Sequence, residues 1–284
     1  MSIINQIIKK MKTLSFYLIP VFAMLFNVVQ AQEKTQLDYL DQLPEGLELD
    51  NSIQRKYIMT TDYFDYDLKG NFLRKRRLTG EYTCGLEGDS ARWNNVYISQ
   101  LDDLESPFPK GMKQDYMENF NYKPDENVLT EDFFMMIPEA NIFIKNLVWD
   151  VMGFDVFAYS CWDSLKLNKE YHSLELNSEV ELAGEGTFEN KDIILTWIGI
   201  TEKNNEMCAI IKFSVMNNPL KVETDIITMT GRSHYWGEVY VSLSVKQIEY
   251  AALSEDVVTD ISIKGQEGNI LGYTVRNISL SKIN

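Results

Sequence analysis

The chain alternates polar and apolar residues in short runs near both of its ends. Between residues 55 and 100, three runs rich in aromatic and β-branched side chains are separated by turn residues, which predicts three strands. Similar runs return from residue 172 to residue 284. One of them, 193–200, is apolar at nearly every position and should be buried on both faces. The pattern predicts an antiparallel sheet that forms an open barrel or a sandwich.

The middle of the chain has a helical rather than an alternating pattern. Met112, Tyr116 and Phe120 are four residues apart, which predicts an amphipathic helix. Residues 140–159 predict a longer helix with so few polar positions that it must be buried or must cover an apolar sheet. The predicted fold class is therefore α+β and β-dominated, with a central helical segment packed on the sheet.

The first 31 residues predict a secretory signal peptide. Lys9, Lys10 and Lys12 precede an apolar run, and Ala31 is a suitable small residue at the cut. A membrane anchor is the alternative, but the run has about 16 residues and contains Pro20, which is short for a span. No later stretch is apolar enough to cross a bilayer. We expect an exported protein, periplasmic or secreted, with no integral membrane segment after cleavage.

This organisation predicts one domain behind the signal peptide. A polar, acidic segment with Pro44 and Gly46 predicts a flexible leader between the two. The expected order is signal peptide 1–31, leader 32–52 and a single α+β domain 53–284, with strands in 53–100, the helical segment in 101–171 and the antiparallel sheet in 172–284.

The charge of the chain excludes one large class of partners. Its 284 residues carry 42 acidic and 27 basic side chains, for a net charge of −15. Cleavage of the signal peptide removes three lysines and no acid, so the mature chain would carry −18. Nucleic acid is not an expected partner, because phosphate binding needs a basic surface. The 45% of hydrophobic residues excludes a disordered chain.

The cysteines and histidines match no metal or cofactor template. Of the three cysteines, Cys84 and Cys161 are the pair to consider for a disulfide, which the spacing leaves open, and Cys208 lies in an apolar strand. The two histidines are His172 and His234, without a His-Glu-x-x-His motif. We therefore assign no metal, no cofactor and no catalytic residue.

One hairpin has a recognisable sequence. The segment Tyr63-Phe-Asp-Tyr-Asp-Leu-Lys-Gly70-Asn-Phe72, followed by Gly80 and Tyr82, resembles one unit of the YD repeats of large bacterial secreted shells. A single copy implies a hairpin with a glycine at the turn and no function. The whole predicted architecture is similar to the lipoprotein-carrier half-barrels of the bacterial periplasm, which hold an apolar ligand beneath a helical lid.

The candidate ligand-binding residues lie in one aromatic segment. If residues 234–240 form a strand, His234, Trp236, Glu238 and Tyr240 share one face. Rings beside a carboxylate suit a sugar, or an apolar ligand with a polar head. Trp149 of the predicted helix completes the candidate set. The alternative is that Trp236 and Tyr240 simply pack beneath that helix.

These patterns favour a soluble, non-catalytic protein that binds a lipid or another apolar ligand between sheet and helix. One alternative is a secreted glycan hydrolase with paired carboxylates, in which Glu238 is the first candidate. Another is an envelope component that binds a protein partner through a sheet edge or an acidic face. The basic run Arg74–Arg77 would form a projecting arm that either balances local acids or contacts an anionic glycan or lipid.

Overall fold

The structure, a computed structural model, describes residues 36–48, 50, 52–135, 137 and 142–283. Residues 39–284 form one compact unit, and a separate unit ends at Asp38. The predicted signal peptide lies outside the described residues.

Strands make up most of the secondary structure. The helices are α1 (Gln36–Leu40), α2 (Glu131–Met135) and α3 (Ile142–Tyr159), with 3-10 turns at Asp115–Met117, Glu126–Leu129, Trp162–Ser164 and Leu174–Leu176. The strands are β1 (Arg55–Tyr66), β2 (Phe72–Leu86), β3 (Ser90–Leu101), β4 (Met112–Lys113), β5 (Phe120–Tyr122), β6 (Glu170–His172), β7 (Ser178–Glu181), β8 (Gly186–Asn190), β9 (Ile194–Lys203), β10 (Glu206–Glu223), β11 (Ile227–Ser242), β12 (Ile248–Ile263) and β13 (Asn269–Ile283).

All these strands belong to one large antiparallel sheet. Its order is β4-β3-β2-β1-β13-β12-β11-β10-β8-β7, with β5 beside β3, β9 beside β10 and β6 beside β9. The two ends of the chain meet where β1 pairs with β13, from Lys56 opposite Ile283 to Tyr66 opposite Tyr273. The prediction of a β-dominated antiparallel sheet is confirmed.

The helical prediction for residues 101–171 is too broad. Of the described helices, only α3 is longer than seven residues. Met112 and Phe120 belong to β4 and β5, which pair with β3, and Tyr116 lies in a 3-10 turn. Gly111 and Asn119 adopt positive φ angles of 83° and 57°, which end any helix that the spacing would allow.

The segment Asn217-Asn218-Pro219 has the residue types of a turn, but it forms a bulge inside β10. The pairing of β10 with β11 shifts register between Val215 and Asn218 and then continues to Glu223. Asn217 has a φ of 66°, and its backbone N–H donates to Nδ1 of His234 at 3.0 Å. A residue in the left-handed region adds one position to the strand without reversing it.

Part of the predicted flexible leader is anchored in the core. Leu43 and Leu47 are buried, and Trp162 donates its indole N–H to the carbonyl oxygen of Pro44 at 2.7 Å. This stretch of the predicted leader therefore packs against the core. Two leucines four residues apart supply apolar area that the surrounding polar residues concealed in the sequence.

The core contains side chains of α3 and of strands from both ends of the chain. The ring of Phe157 on α3 stacks on Phe213 of β10, with centroids 4.2 Å apart. It also lies 5.9 Å from the ring of Tyr235 on β11. The face of the sheet that carries Phe213 and Tyr235 is called the inner face below, and the opposite face is the outer face.

Gly237 makes this aromatic packing feasible. It lies directly opposite Phe213, and a Cβ at this position would be 2.5 Å from the phenylalanine ring and 2.0 Å from the carbonyl oxygen of Ala252. The glycine therefore leaves room for the ring that α3 contacts.

Candidate functional site

The predicted aromatic strand exists, and its residues alternate as expected. Tyr235, Val239 and Val241 of β11 are buried on the inner face. The outer face of β11 carries the other set of side chains, which are His234, Trp236, Glu238 and Tyr240. Four of the five predicted ligand-binding residues therefore share a face, and it is the face turned away from Phe157 of α3.

Trp149 is separate from this set. Its indole N–H donates to the carbonyl oxygen of Val128 at 2.8 Å, and its ring lies edge-on to Phe134 at 5.5 Å. Trp149 belongs to α3, whose contacts with the sheet are on the inner face. The predicted ligand position between sheet and helix and the predicted aromatic strand face are thus two different places.

A groove of about 470 Å³ surrounds Trp236 on the outer face. Trp236 is 42% exposed and lies between Ser214 of β10 and Ser254 of β12. Glu238 accepts a hydrogen bond from the hydroxyl of Tyr240 at 2.9 Å. Burial, followed by this hydrogen bond, raises the pKa of Tyr240 to about 12, so its hydroxyl remains a donor. The groove therefore has an open ring beside a carboxylate that is held in place.

The groove contains a second carboxylate besides that of Glu238. Glu170 of β6 is the other acid in its lining. The register places Glu170, Thr196, Lys212 and Glu238 on four successive strands. With about 4.8 Å between strands, the Cα atoms of the two glutamates are about 14 Å apart. The two acids therefore lie on the same face of the sheet, with Lys212 between them.

The two histidines have separate partners. His172 forms a 2.6 Å contact from Nδ1 to Oδ1 of Asp192, and this carboxylate raises its pKa. His234 accepts the backbone N–H of Asn217. Within the described ranges, no group of three or more histidine, cysteine, aspartate or glutamate side chains could hold a metal ion.

A second cavity, not predicted from the sequence, lies beside α3. It has a volume of about 250 Å³. Three tyrosines from different elements contribute to its wall, namely Tyr82 of β2, Tyr122 of β5 and Tyr159 of α3. Its remaining lining is mostly apolar, apart from one carboxylate: Pro124, Val128, Val148, Val151, Met152, Asp155, Val156 and Ser160.

Asp155 is the charged group of this cavity. Burial raises its pKa to about 6, and the opposing attraction of Arg55 is too weak to restore the ordinary value. No hydrogen bond or ion pair joins Asp155 to another residue in the described part of the chain. Arg55 is itself buried, and its Nε has no partner among the described atoms. The cavity wall therefore holds one carboxylate without a hydrogen-bond partner among the described residues, in a lining that is otherwise mostly aromatic and apolar.

A different buried cluster on the inner face consists of one cation and two carboxylates. Arg276 of β13 binds Asp150 of α3 at 2.5 Å and also pairs with Glu255 of β12. Glu255 accepts a second hydrogen bond from the hydroxyl of Ser233 at 2.6 Å. The cluster joins α3 to three strands, and its single guanidinium is shared by the two carboxylates, with Nε of Arg276 left without a partner among the described atoms.

The basic run Arg74–Arg77 does not project from the protein. Lys75 is buried and donates to the carbonyl oxygens of Leu104 and Ser106. Arg77 forms two 2.6 Å hydrogen bonds to Asp62. Arg76 binds Asp65 at 2.7 Å. The expected arm is wrong, because partners inside the protein engage these charges on both faces of β2.

The three cysteines are buried free thiols. Cys161 lies 3.3 Å from Oε1 of Glu175, and Cys84 is paired across the sheet with Arg55. Burial raises the pKa of Cys84 to about 11 and those of Cys161 and Cys208 to about 12. Such thiols are poor nucleophiles.

The sequence of α3 contains a signal for Asp155 that the apolar periodicity does not reveal. The α3 sequence is apolar almost throughout, and its charged residues are Lys145, Asp150 and Asp155. A carboxylate within a buried helix is costly unless something binds it. Lys145 forms an ion pair with Glu185, and Asp150 forms one with Arg276. Asp155 is therefore the charged residue of α3 that has no ion pair within the described residues.

The chain matches no protein-family model and no curated protein. None of the described helices has the length and apolar character needed to cross a membrane.

Proposed function

We propose that the protein is an exported, non-catalytic protein that binds a small, largely apolar ligand beside α3. The single observation that carries the proposal is the 250 Å³ cavity with Asp155 in its wall. The cavity combines apolar walls with a few polar groups, which is the composition of small-molecule sites.

The packing of α3 on the inner face is part of this proposal. It is supported by the stacking of Phe157 on Phe213, by the ion pair between Asp150 and Arg276, and by the 3.2 Å hydrogen bond from Asn146 to Tyr63. In this arrangement α3 forms one wall of the cavity, and Tyr82 and Tyr122 of the sheet form another.

The size and chemistry of the cavity narrow the ligand class. A volume near 250 Å³ is below the ~300 Å³ of the smaller drug-sized pockets, so it suits a small molecule or one end of a chain. A lipid with two full acyl chains is too large. The Asp155 carboxylate lacks a donor among the described residues, so the ligand should carry an N–H or O–H group.

A fluorescence titration tests the cavity. The probe is N-phenyl-1-naphthylamine, which is uncharged, largely apolar and carries one N–H. We expect saturable binding to the wild-type chain. Met152→Trp, which fills the cavity from α3, should weaken binding about tenfold, since the probe and the indole compete for the same space.

Met216→Trp is the matched control, because Met216 is 58% exposed and is not part of the cavity wall. It should leave binding unchanged. Circular dichroism and urea unfolding of both variants establish that they fold. Absence of saturable binding, or equal affinity in the two variants, would contradict the proposal.

Export is supported by the basic residues and apolar run of the predicted signal peptide. Expression of the full chain in a Gram-negative host, followed by mass spectrometry of the envelope and medium fractions, tests it. We expect a mature chain that begins after Ala31. A full-length chain retained in the cytoplasm would show that this part of the proposal is wrong.

A further inference from the structure

Among the five tryptophans of the chain, Trp236 is used differently from the others. Trp93, Trp162 and Trp197 are buried. Their indole N–H groups donate to the Tyr122 hydroxyl and to the carbonyl oxygens of Pro44 and Gly199. Trp149 also donates internally, as described above.

Trp236 has neither burial nor an internal partner. Its side chain is 42% exposed, and its N–H donates to no atom in the described part of the chain. The face of this indole is therefore open to a ligand. A ring with a free N–H is suited to a ligand that both stacks and accepts a hydrogen bond.

The neighbours of Trp236 leave its ring accessible. Ser214 and Ser254, directly across from it on the adjacent strands, are small and carry hydroxyls. Ala252 is opposite Glu238 on β12, so no large side chain rises beside the carboxylate on that strand. The result is a flat aromatic platform with hydrogen-bonding groups at its edges.

The charges around the platform distinguish between ligand classes. Glu238 and Glu170 contribute two negative charges to the groove and Lys212 contributes one positive charge. The net negative groove on a chain of net charge −15 repels uronic acids, sulfated glycans and phospholipid headgroups. Hydroxyl groups of a neutral sugar can donate to the carboxylates and accept from the lysine and the indole.

We propose that the outer-face groove around Trp236 is a binding site for a neutral oligosaccharide. One pyranose ring stacks on the Trp236 indole, and its hydroxyls bind Glu238 and the flanking serines. A sugar with equatorial substituents is favoured, because its flat apolar face can lie against the ring. The site is independent of the cavity beside α3, which is separated from it by the sheet.

Isothermal titration with cellohexaose, maltohexaose and an oligogalacturonate tests this site. We expect wild-type protein to bind cellohexaose, and to bind the charged oligogalacturonate at least about tenfold more weakly. Trp236→Ala should weaken cellohexaose binding about tenfold or more, because the stacking surface is lost. Trp236→Phe should retain part of the affinity.

Leu271→Ala is the matched control, since Leu271 lies elsewhere on the outer face and is 47% exposed. It should bind cellohexaose as wild type does. Met152→Trp should also bind normally, which separates this site from the cavity. The proposal is overturned if no neutral hexasaccharide binds at millimolar concentration, if Trp236→Ala binds as tightly as wild type, or if oligogalacturonate binds best.

Discussion

Asp155 should weaken the fold at neutral pH, so its removal should stabilise the protein. The carboxylate lies in the wall of the α3 cavity without a hydrogen-bond partner among the described residues. Asp155→Asn keeps the shape of the side chain and removes its ionisation. Natural proteins retain such unfavourable groups where a ligand uses them, which is the reason to perturb this one.

The magnitude follows from the raised pKa of Asp155. Burial moves this pKa from 3.8 to about 6, and at ~1.4 kcal/mol for each pH unit the ionised form of this half-buried group costs at most about 3 kcal/mol. The folded protein binds this proton more tightly than the unfolded chain does. The contribution to stability is therefore complete below pH 3.8 and is lost as the pH rises through about 6.

Urea unfolding followed by tryptophan fluorescence measures the effect, between pH 5.5 and pH 8 to stay above the sequence pI of about 4.6. The variant should be more stable than wild type by at most about 3 kcal/mol at pH 7.5 and at most about 2 kcal/mol at pH 5.5, with the larger gain at pH 7.5. Asp102→Asn, at an exposed aspartate, is the control and should change stability by less than ~0.5 kcal/mol. A variant no more stable than this control would refute the reasoning.

Three further changes have defined outcomes. Arg276→Met should destabilise the protein by about 3–5 kcal/mol, because it leaves Asp150 and Glu255 buried without their cation. The loss should be larger at pH 8 than at pH 6, and a urea midpoint lowered from that of wild type by the same amount at both pH values would contradict this. Gly237→Ala should cost about 1–3 kcal/mol of stability through its clash with Phe213. Gly153→Ala, whose Cβ would meet nothing closer than 3.8 Å, should instead add up to about 1 kcal/mol of helix stability. A thermal unfolding temperature that is higher for Gly237→Ala than for Gly153→Ala would disprove the packing argument. The thiols should react with Ellman's reagent slowly in the folded protein and all three rapidly in urea, and a thiol that reacts at once under native conditions would show that its burial is incomplete.

Local patterns predicted the strands better than they predicted the helices. The alternation around β11 correctly separated Tyr235 and Val239 from Trp236, because side chains on a strand must point to opposite faces. The four-residue spacing from Met112 to Phe120 failed, because pairing with β3 and positive φ angles override a short apolar period. The bulge at Asn217 could not be distinguished from a turn, since both use the same residue types.

The candidate residues were identified only in part. Trp236, Glu238 and their strand neighbours could be grouped from the sequence, because one strand determines their common face. Their separation from Trp149 could not be predicted, because it depends on which face of the sheet α3 contacts. The cavity with Tyr82, Tyr122 and Asp155 joins residues from three separated segments, which no spacing along the chain reveals.

By itself, the sequence determined the β-dominated class, the acidic charge and the alternation of faces along each strand, because these depend on composition and on neighbouring residues. The tertiary structure alone decided that β1 pairs with β13, that the basic run of β2 is bound by partners within the protein and that Asp155 has no described partner. Each of these depends on residues that are distant in the chain and close in space. Burial and pairing, which set the pKa of a carboxylate and the accessibility of a ring, exist only after the sheet has formed.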